Sequence, residues 1–188
     1  PDDLILKEND YIIGLYEMNT TDTMLVFTSG GNYLHIPVHI IPDLKWKDMG
    51  KHISNIVPIG QDEEVIGAIP AYDFSSERPL IFITKNGMIK RTLISDLKAL
   101  RYTKPMPYMK LKDGDLVANI SYKSGTDVFI TTKGGFGLRF DINEVPILGS
   151  RASGVKGISL KNDILVSGNV INNDEYLSII TSKNTGKR

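Results

Sequence analysis

A pattern that returns about every fifty residues constrains this 188-residue chain more than any other feature. Four segments share one form: Leu25-Val26-Phe27-Thr28-Ser29-Gly30-Gly31, Ile81-Phe82-Ile83-Thr84-Lys85-Asn86-Gly87, Val128-Phe129-Ile130-Thr131-Thr132-Lys133-Gly134-Gly135 and Leu177-Ser178-Ile179-Ile180-Thr181-Ser182-Lys183-Asn184. Their anchor threonines, Thr28, Thr84, Thr132 and Thr181, stand 56, 48 and 49 residues apart. Three residues past each anchor comes Gly31, Gly87, Gly135 or Asn184, residue types that tolerate positive φ in a tight turn. A β-branched or aromatic run, such a turn and a second run (33–38, 88–93, 136–142) together make a hairpin signature.

Two further elements keep the same register. An acidic or polar turn leads into a short apolar strand at 9–14, 62–67, 113–118 and 162–167. A third element begins 22 residues beyond the anchors, at Gly50, Met106 and Gly154, and leads into predicted strands at 53–59, 108–111 and 158–160. Four strands per repeat predict an all-β, propeller-like array of four-stranded blades, because no unit of this size buries its apolar face alone. The expected repeats are 10–61, 62–112, 113–161 and 162–188, the last incomplete, so residues 1–188 read as a fragment of an open or incomplete arc. A short helical turn is expected within 95–102. A single irregular β-sandwich would not hold three separate elements in step.

Little in the chain suggests catalysis. Apolar residues at 41% and charged residues at 23% suit a soluble domain, and no apolar run approaches the roughly 20 residues of a membrane span, so a cytoplasmic location is expected. The absence of cysteine excludes disulfides and thiolate chemistry. His35 and His39 flank Pro37 in a predicted strand, where their spacing puts them about 13 Å apart, too far to share a metal. Lys133-Gly134-Gly135-Phe136-Gly137 precedes a strand rather than the helix a phosphate loop needs. Asp113, Asp115, Asp174 and Glu175 read as solvated turn acids. No catalytic residue and no metal ligand is nominated.

Basic residues are more informative. The 22 lysines and arginines balance 22 acids, but they gather on the hairpins and the connections after them: Lys45, Lys47 and Lys51; Lys85, Lys90, Arg91, Lys98, Arg101 and Lys104; Lys133, Arg139, Arg151 and Lys156; Lys183, Lys187 and Arg188. In units stacked around an axis, equivalent positions fall on one rim and give it a positive potential despite zero net charge. Such a rim binds phosphates without reading sequence. Duplex DNA laid along a curved array must bend, at a cost of roughly 1–6 kcal/mol for a site of about 20–30 bp. Two other readings remain at this point: a solvated basic face without a partner, and a protein-interaction propeller that uses its loops as a platform.

The segments Asp10-Tyr11-Ile12-Ile13, Asp22-Thr23-Met24-Leu25-Val26-Phe27-Thr28-Ser29-Gly30-Gly31, Gln61-Asp62-Glu63-Glu64-Val65-Ile66, Lys112-Asp113-Gly114-Asp115 and Gly154-Val155-Lys156-Gly157-Ile158 resemble the repeats of the C-terminal domains of gyrase and topoisomerase IV A subunits. The resemblance covers essentially the whole chain. Within that family, Lys45-Trp46-Lys47-Asp48-Met49-Gly50-Lys51-His52 is similar to the topoisomerase IV branch of Gram-positive bacteria, with gyrase as the alternative; a Gln-Arg-Arg-Gly-Gly-Lys-Gly type of gyrase box is not found in these residues. The resemblance implies a β-pinwheel whose blades exchange a hairpin with a neighbour, and whose basic outer edge binds and bends double-stranded DNA without sequence preference. It implies that the cleaving tyrosine, ATP and Mg2+ act elsewhere in a type IIA topoisomerase, in the B subunit or the rest of the A subunit, in the bacterial cytoplasm at the nucleoid. The basic positions it carries over as phosphate contacts are Lys45, Lys47, Lys90, Arg91, Arg101, Lys104, Arg139, Arg151 and Lys156.

Overall fold

The computed structural model describes residues 11–45, 48, 50–100, 102–183 and 185–187, and among these the chain is all strands, turns and 3-10 segments, with no α-helix. The expected hairpins form, the first from β1 (Thr23–Thr28) paired antiparallel with β2 (Asn32–Pro37). The second hairpin is β4 (Pro79–Thr84) with β5 (Met88–Leu93), the third β8 (Asp127–Thr132) with β9 (Gly137–Asp141), and a short fourth joins β12 (Ile179–Ile180) to β13 (Gly186–Lys187). The recurring threonine has a local job. Thr84 Oγ1 accepts from Met88 N at 3.1 Å and Thr132 Oγ1 from Phe136 N at 3.2 Å, so the hydroxyl fastens the chain where the returning strand begins, at Met88 of β5 and just before β9. The glycines at the turns hold φ of 81°, 80° and 86° at Gly31, Gly87 and Gly135, a region where a Cβ is penalised.

Pairing outside the hairpins crosses the repeat boundaries. β3 (Val65–Ala71) lies against β1 and β6 (Met106–Pro107) against β2, giving a first sheet ordered β3-β1-β2-β6. β7 (Val117–Ser121) lies against β4 and β10 (Val155–Lys156) against β5, giving a second sheet ordered β10-β5-β4-β7. In the third, β11 (Leu165–Ile171) pairs with β8 in the order β11-β8-β9. The stretch 62–112 therefore gives its hairpin to the second sheet and its remaining strands, β3 and β6, to the first. That is a hairpin exchange, and a blade is not the contiguous four-strand repeat that spacing alone predicts.

Other expectations shift by a few residues for physical reasons. The third element pairs at 106–107 and 155–156, not at 108–111 and 158–160, because the later residues do something else: Tyr108 N and Met109 N donate to Gly31 O at 2.8 and 3.2 Å, and Gly157 N donates to Gly87 O at 2.8 Å. They seal the turn of the preceding hairpin. Residues 11–14 and 53–59 form no strand; instead a 3-10 turn at Ile53–Asn55 and the buried Val57 pack under Val26, Leu34 and Ile36. The turn expected within 95–102 is the 3-10 segment Ile94–Leu97.

Strand alternation stacks the sheets face to face. In β4, Leu80 and Phe82 point to the first sheet, where they meet Leu25, Phe27 and Tyr33, while Ile81 and Ile83 point to the third, where they meet Val128, Ile130, Leu165 and Val170. Buried on both faces, β4 reads as a continuous apolar run. β8 is covered on one face only and alternates buried with half-buried positions.

Candidate nucleic-acid interface

The strands at one edge of each sheet converge: β7 packs against β11 and β3 against β7, and Asn119 Nδ2 donates to Gly168 O. These are the inner strands. On the opposite edge stand β6 and β10 with their flanking loops, and the exposed cations there are Lys104, Lys110 and Lys112 around β6, and Arg151, Lys156 and Lys161 around β10. Lys110 N donates to Ala152 O at 3.3 Å, which sets Lys110 beside Arg151 across the boundary between the first and second sheets. Positive charge from different repeats thus meets on the outer edge.

Of the expected solvated acids, Asp113 and Asp174 are exposed in turns and Glu175 is exposed and paired with Lys123, but Asp115 is not solvated, and it shares its role with Glu63 and Asp163. Glu63 accepts from the Thr28 hydroxyl and, at 2.8 Å, from Asn32 Nδ2. Asp115, nearly buried, accepts from Asn86 N at 3.0 Å, and Asp163 takes the same place at the third hairpin, accepting from Gly134 N at 3.0 Å. The hydrogen bonds that Asp163 receives from Thr132 and the backbone hold its carboxyl below the usual range. Glu63, Asp115 and Asp163 therefore each cap the hairpin turn of the preceding repeat, about thirty residues upstream.

The nine basic residues carried over by resemblance separate into groups. Lys45, Lys104, Arg151 and Lys156 are exposed. Lys47 and Arg101 lie outside the described residues. Arg139 is exposed but committed: its guanidinium donates to Asp127 Oδ2 at 3.0 Å and to Asn173 Oδ1, and the pairing lowers the Asp127 pKa while raising that of Arg139. Arg91 is half-buried, with Nε on Val145 O at 2.8 Å. Lys90 corrects the expectation most sharply. It is 0% exposed, and its ammonium donates to Gly149 O at 2.8 Å and Ser150 O at 3.2 Å, so no phosphate reaches it in this conformation. Lys110 and Lys112 were missed; their signal was position, directly after the third recurring element. His35, also buried, stacks on Phe74 at 5.5 Å, while His39 lies in the 3-10 turn Val38–Ile40.

Burial pushes the Lys90 ammonium down from 10.5 to about 8, against a smaller opposing influence of Asp96. Between pH 8 and 10 the unfolded chain then holds a proton that the folded chain has released, so stability rises with pH over that window. Urea unfolding is expected to show a gain of about 2 kcal/mol from pH ~8 to ~10, and Lys90→Met to flatten it.

Comparison with known proteins places this architecture. Residues 22–71, 78–121 and 126–172 match the family described as DNA gyrase C-terminal domain, beta-propeller. The chain is 41% identical over 188 residues to the A subunit of DNA topoisomerase 4 from Bacillus subtilis (strain 168), covering 99% of this chain and 23% of that protein. It is 37% identical over 189 residues to the corresponding protein of Staphylococcus aureus (strain MRSA252), covering 100% and 24%. It therefore spans about a quarter of the length of these relatives. A crystal structure of the C-terminal domain of DNA topoisomerase IV superposes with a TM-score of 0.93 at 44% identity, over 99% of this chain and 58% of that one. For a DNA gyrase A C-terminal domain the values are 0.71 and 25%, over 98% and 59%. With three hairpin units matched in order and the topoisomerase IV domain the more similar of the two structures, the chain belongs to the family of DNA gyrase C-terminal beta-propeller domains, on its topoisomerase IV side.

Proposed function

We propose that this chain is the non-catalytic DNA-binding and DNA-bending domain of a topoisomerase IV A subunit, presenting a duplex to the enzyme for decatenation and supercoil relaxation. The observation that carries the reading is the outer edge on which Lys110 of one repeat meets Arg151 of the next, flanked by Lys104, Lys112 and Lys156, while Glu63, Asp115 and Asp163 turn inward to cap hairpins. Exposed cations attract phosphates and release counterions, and they do so for any base sequence. Strand cleavage, ATP and Mg2+ belong, in this proposal, to the B subunit or the rest of the A subunit, in the bacterial cytoplasm. Among the described residues no helix is long and apolar enough to cross a membrane.

Duplex DNA titrated against the full-length protein tests the proposal. Contacts to about five phosphates would give a log–log salt slope near ~−4.5, and about a 500-fold loss of affinity between ~50 and ~200 mM salt. Arg151→Glu and Lys156→Glu should weaken binding to unrelated sequences equally. Charge reversals that leave both the affinity and its salt slope unchanged would instead favour a protein-interaction propeller.

A further inference from the structure

Three consecutive residues of β5 grip the connection that follows the third hairpin. Arg91 Nε donates to Val145 O at 2.8 Å and Arg91 N to Pro146 O at 3.0 Å. Thr92 Oγ1 donates to Leu148 O at 2.9 Å, and Lys90 Nζ donates to Gly149 O at 2.8 Å and Ser150 O at 3.2 Å. In return Leu148 N donates to Arg91 O at 2.8 Å. The connection turns at once, with Ala152 N on Gly149 O at 3.1 Å, and its Gly154 passes so near β5 that a Cβ there would stand 2.5 Å from Ile89 O. Arg151 is the exposed residue at the crest of that turn.

Lys90 is an unfavourable choice for holding two carbonyls. It is 0% exposed, lies above the Phe82 ring at 5.9 Å, and has no carboxylate in hydrogen-bond contact among the described residues. Buried ammonium groups destabilise a fold unless their donors are used, and here the donors are aimed at the two carbonyls immediately preceding Arg151. We infer that Lys90 is a positioning residue for DNA: it fixes the 145–152 connection on the second sheet so that Arg151 stands beside Lys110 on the outer edge. The inference rests on the DNA-binding reading above. It reassigns a lysine that looks like a phosphate contact in sequence to a residue acting through its neighbour.

The test uses Lys90→Met, which keeps the apolar stem and removes the donors, in the full-length protein alone and combined with Arg151→Gln. Trypsin cleavage after Arg151, followed by mass spectrometry, reads the connection without DNA; K90M should quicken it by about tenfold as the clasp opens. K90M should weaken duplex binding about fivefold and reduce the salt slope by about one in the wild-type background, yet change affinity less than twofold in the R151Q background. Equal losses in both backgrounds, unchanged cleavage, or an R151Q variant that binds like wild type would each overturn the inference. Failure of the functional reading looks different, because reversing Lys104, Lys110 and Lys156 together to glutamate would then leave duplex binding by the full-length protein unchanged. If K90M does not fold, Thr92→Val, which removes the Leu148 contact only, carries the same comparison with the same two readouts.

Discussion

Replacing Gly31 by alanine is expected to destabilise the fold by about 3 kcal/mol or more, while the same change at Gly135 costs only about 1 kcal/mol. Both glycines occupy the same turn position and both have positive φ, 81° and 86°, so the left-handed backbone penalty is common to them. What differs is the lid. A Cβ on Gly31 would stand 2.4 Å from Met109 O, a backbone atom held by the segment that also donates Tyr108 N and Met109 N to Gly31 O. Making room means breaking those hydrogen bonds and lifting Tyr108. A Cβ on Gly135 meets nothing within 4 Å. Urea denaturation of G31A and G135A checks this directly; equal losses would mean that the seal over the turn contributes nothing.

Tyr108→Ala is expected to cost about 3–5 kcal/mol and Tyr108→Phe about 1 kcal/mol, measured by the same unfolding transitions. Tyr108 is 0% exposed and sits between the first and second sheets, its ring 5.1 Å from Phe27 in an edge-on arrangement and 4.5 Å from Phe82. Its hydroxyl donates to Thr28 O at 2.8 Å. Removing the ring opens a cavity at the joint of two sheets. Removing the hydroxyl alone is milder, because Thr28 O still accepts from Gly31 N at 3.3 Å. Burial holds the phenol far above its ordinary pKa, so the effect should not vary across neutral pH. A Y108F loss as large as that of Y108A would contradict the packing argument.

The hairpins were legible in the chain because their determinants are local: a threonine hydroxyl, a glycine turn and two β-branched runs within about fifteen residues. Strand partners were not, since β3 and β6 choose a hairpin of the preceding repeat and nothing within either strand marks that choice; only the family resemblance implied the exchange. Asp115 misled for a related reason. Asp115 has the composition of a turn residue, and its real task, receiving Asn86 N, lies 29 residues away. Charge location was legible by repeat but not by face. Lys90 and Lys156 both look like basic strand residues, yet Lys90 is placed opposite Phe82 toward the core and Lys156 on an exposed outer strand. The telling neighbours of Lys90, Gly149 and Ser150, stand about sixty residues downstream.

The chain passes between the first and second sheets three times, from β3 to β4, from β5 to β6 and from β6 to β7, where a serial array would pass once. Adjacent sheets are therefore stitched by covalent links as well as by packed side chains. A duplex bent over their outer edge, as the proposed function requires, would push back, and in this weave the recoil would load backbone ladders that must shear together before the sheets can part. Under that function, curvature would be a property written into connectivity: a former that sets the path of the duplex rather than yielding to it.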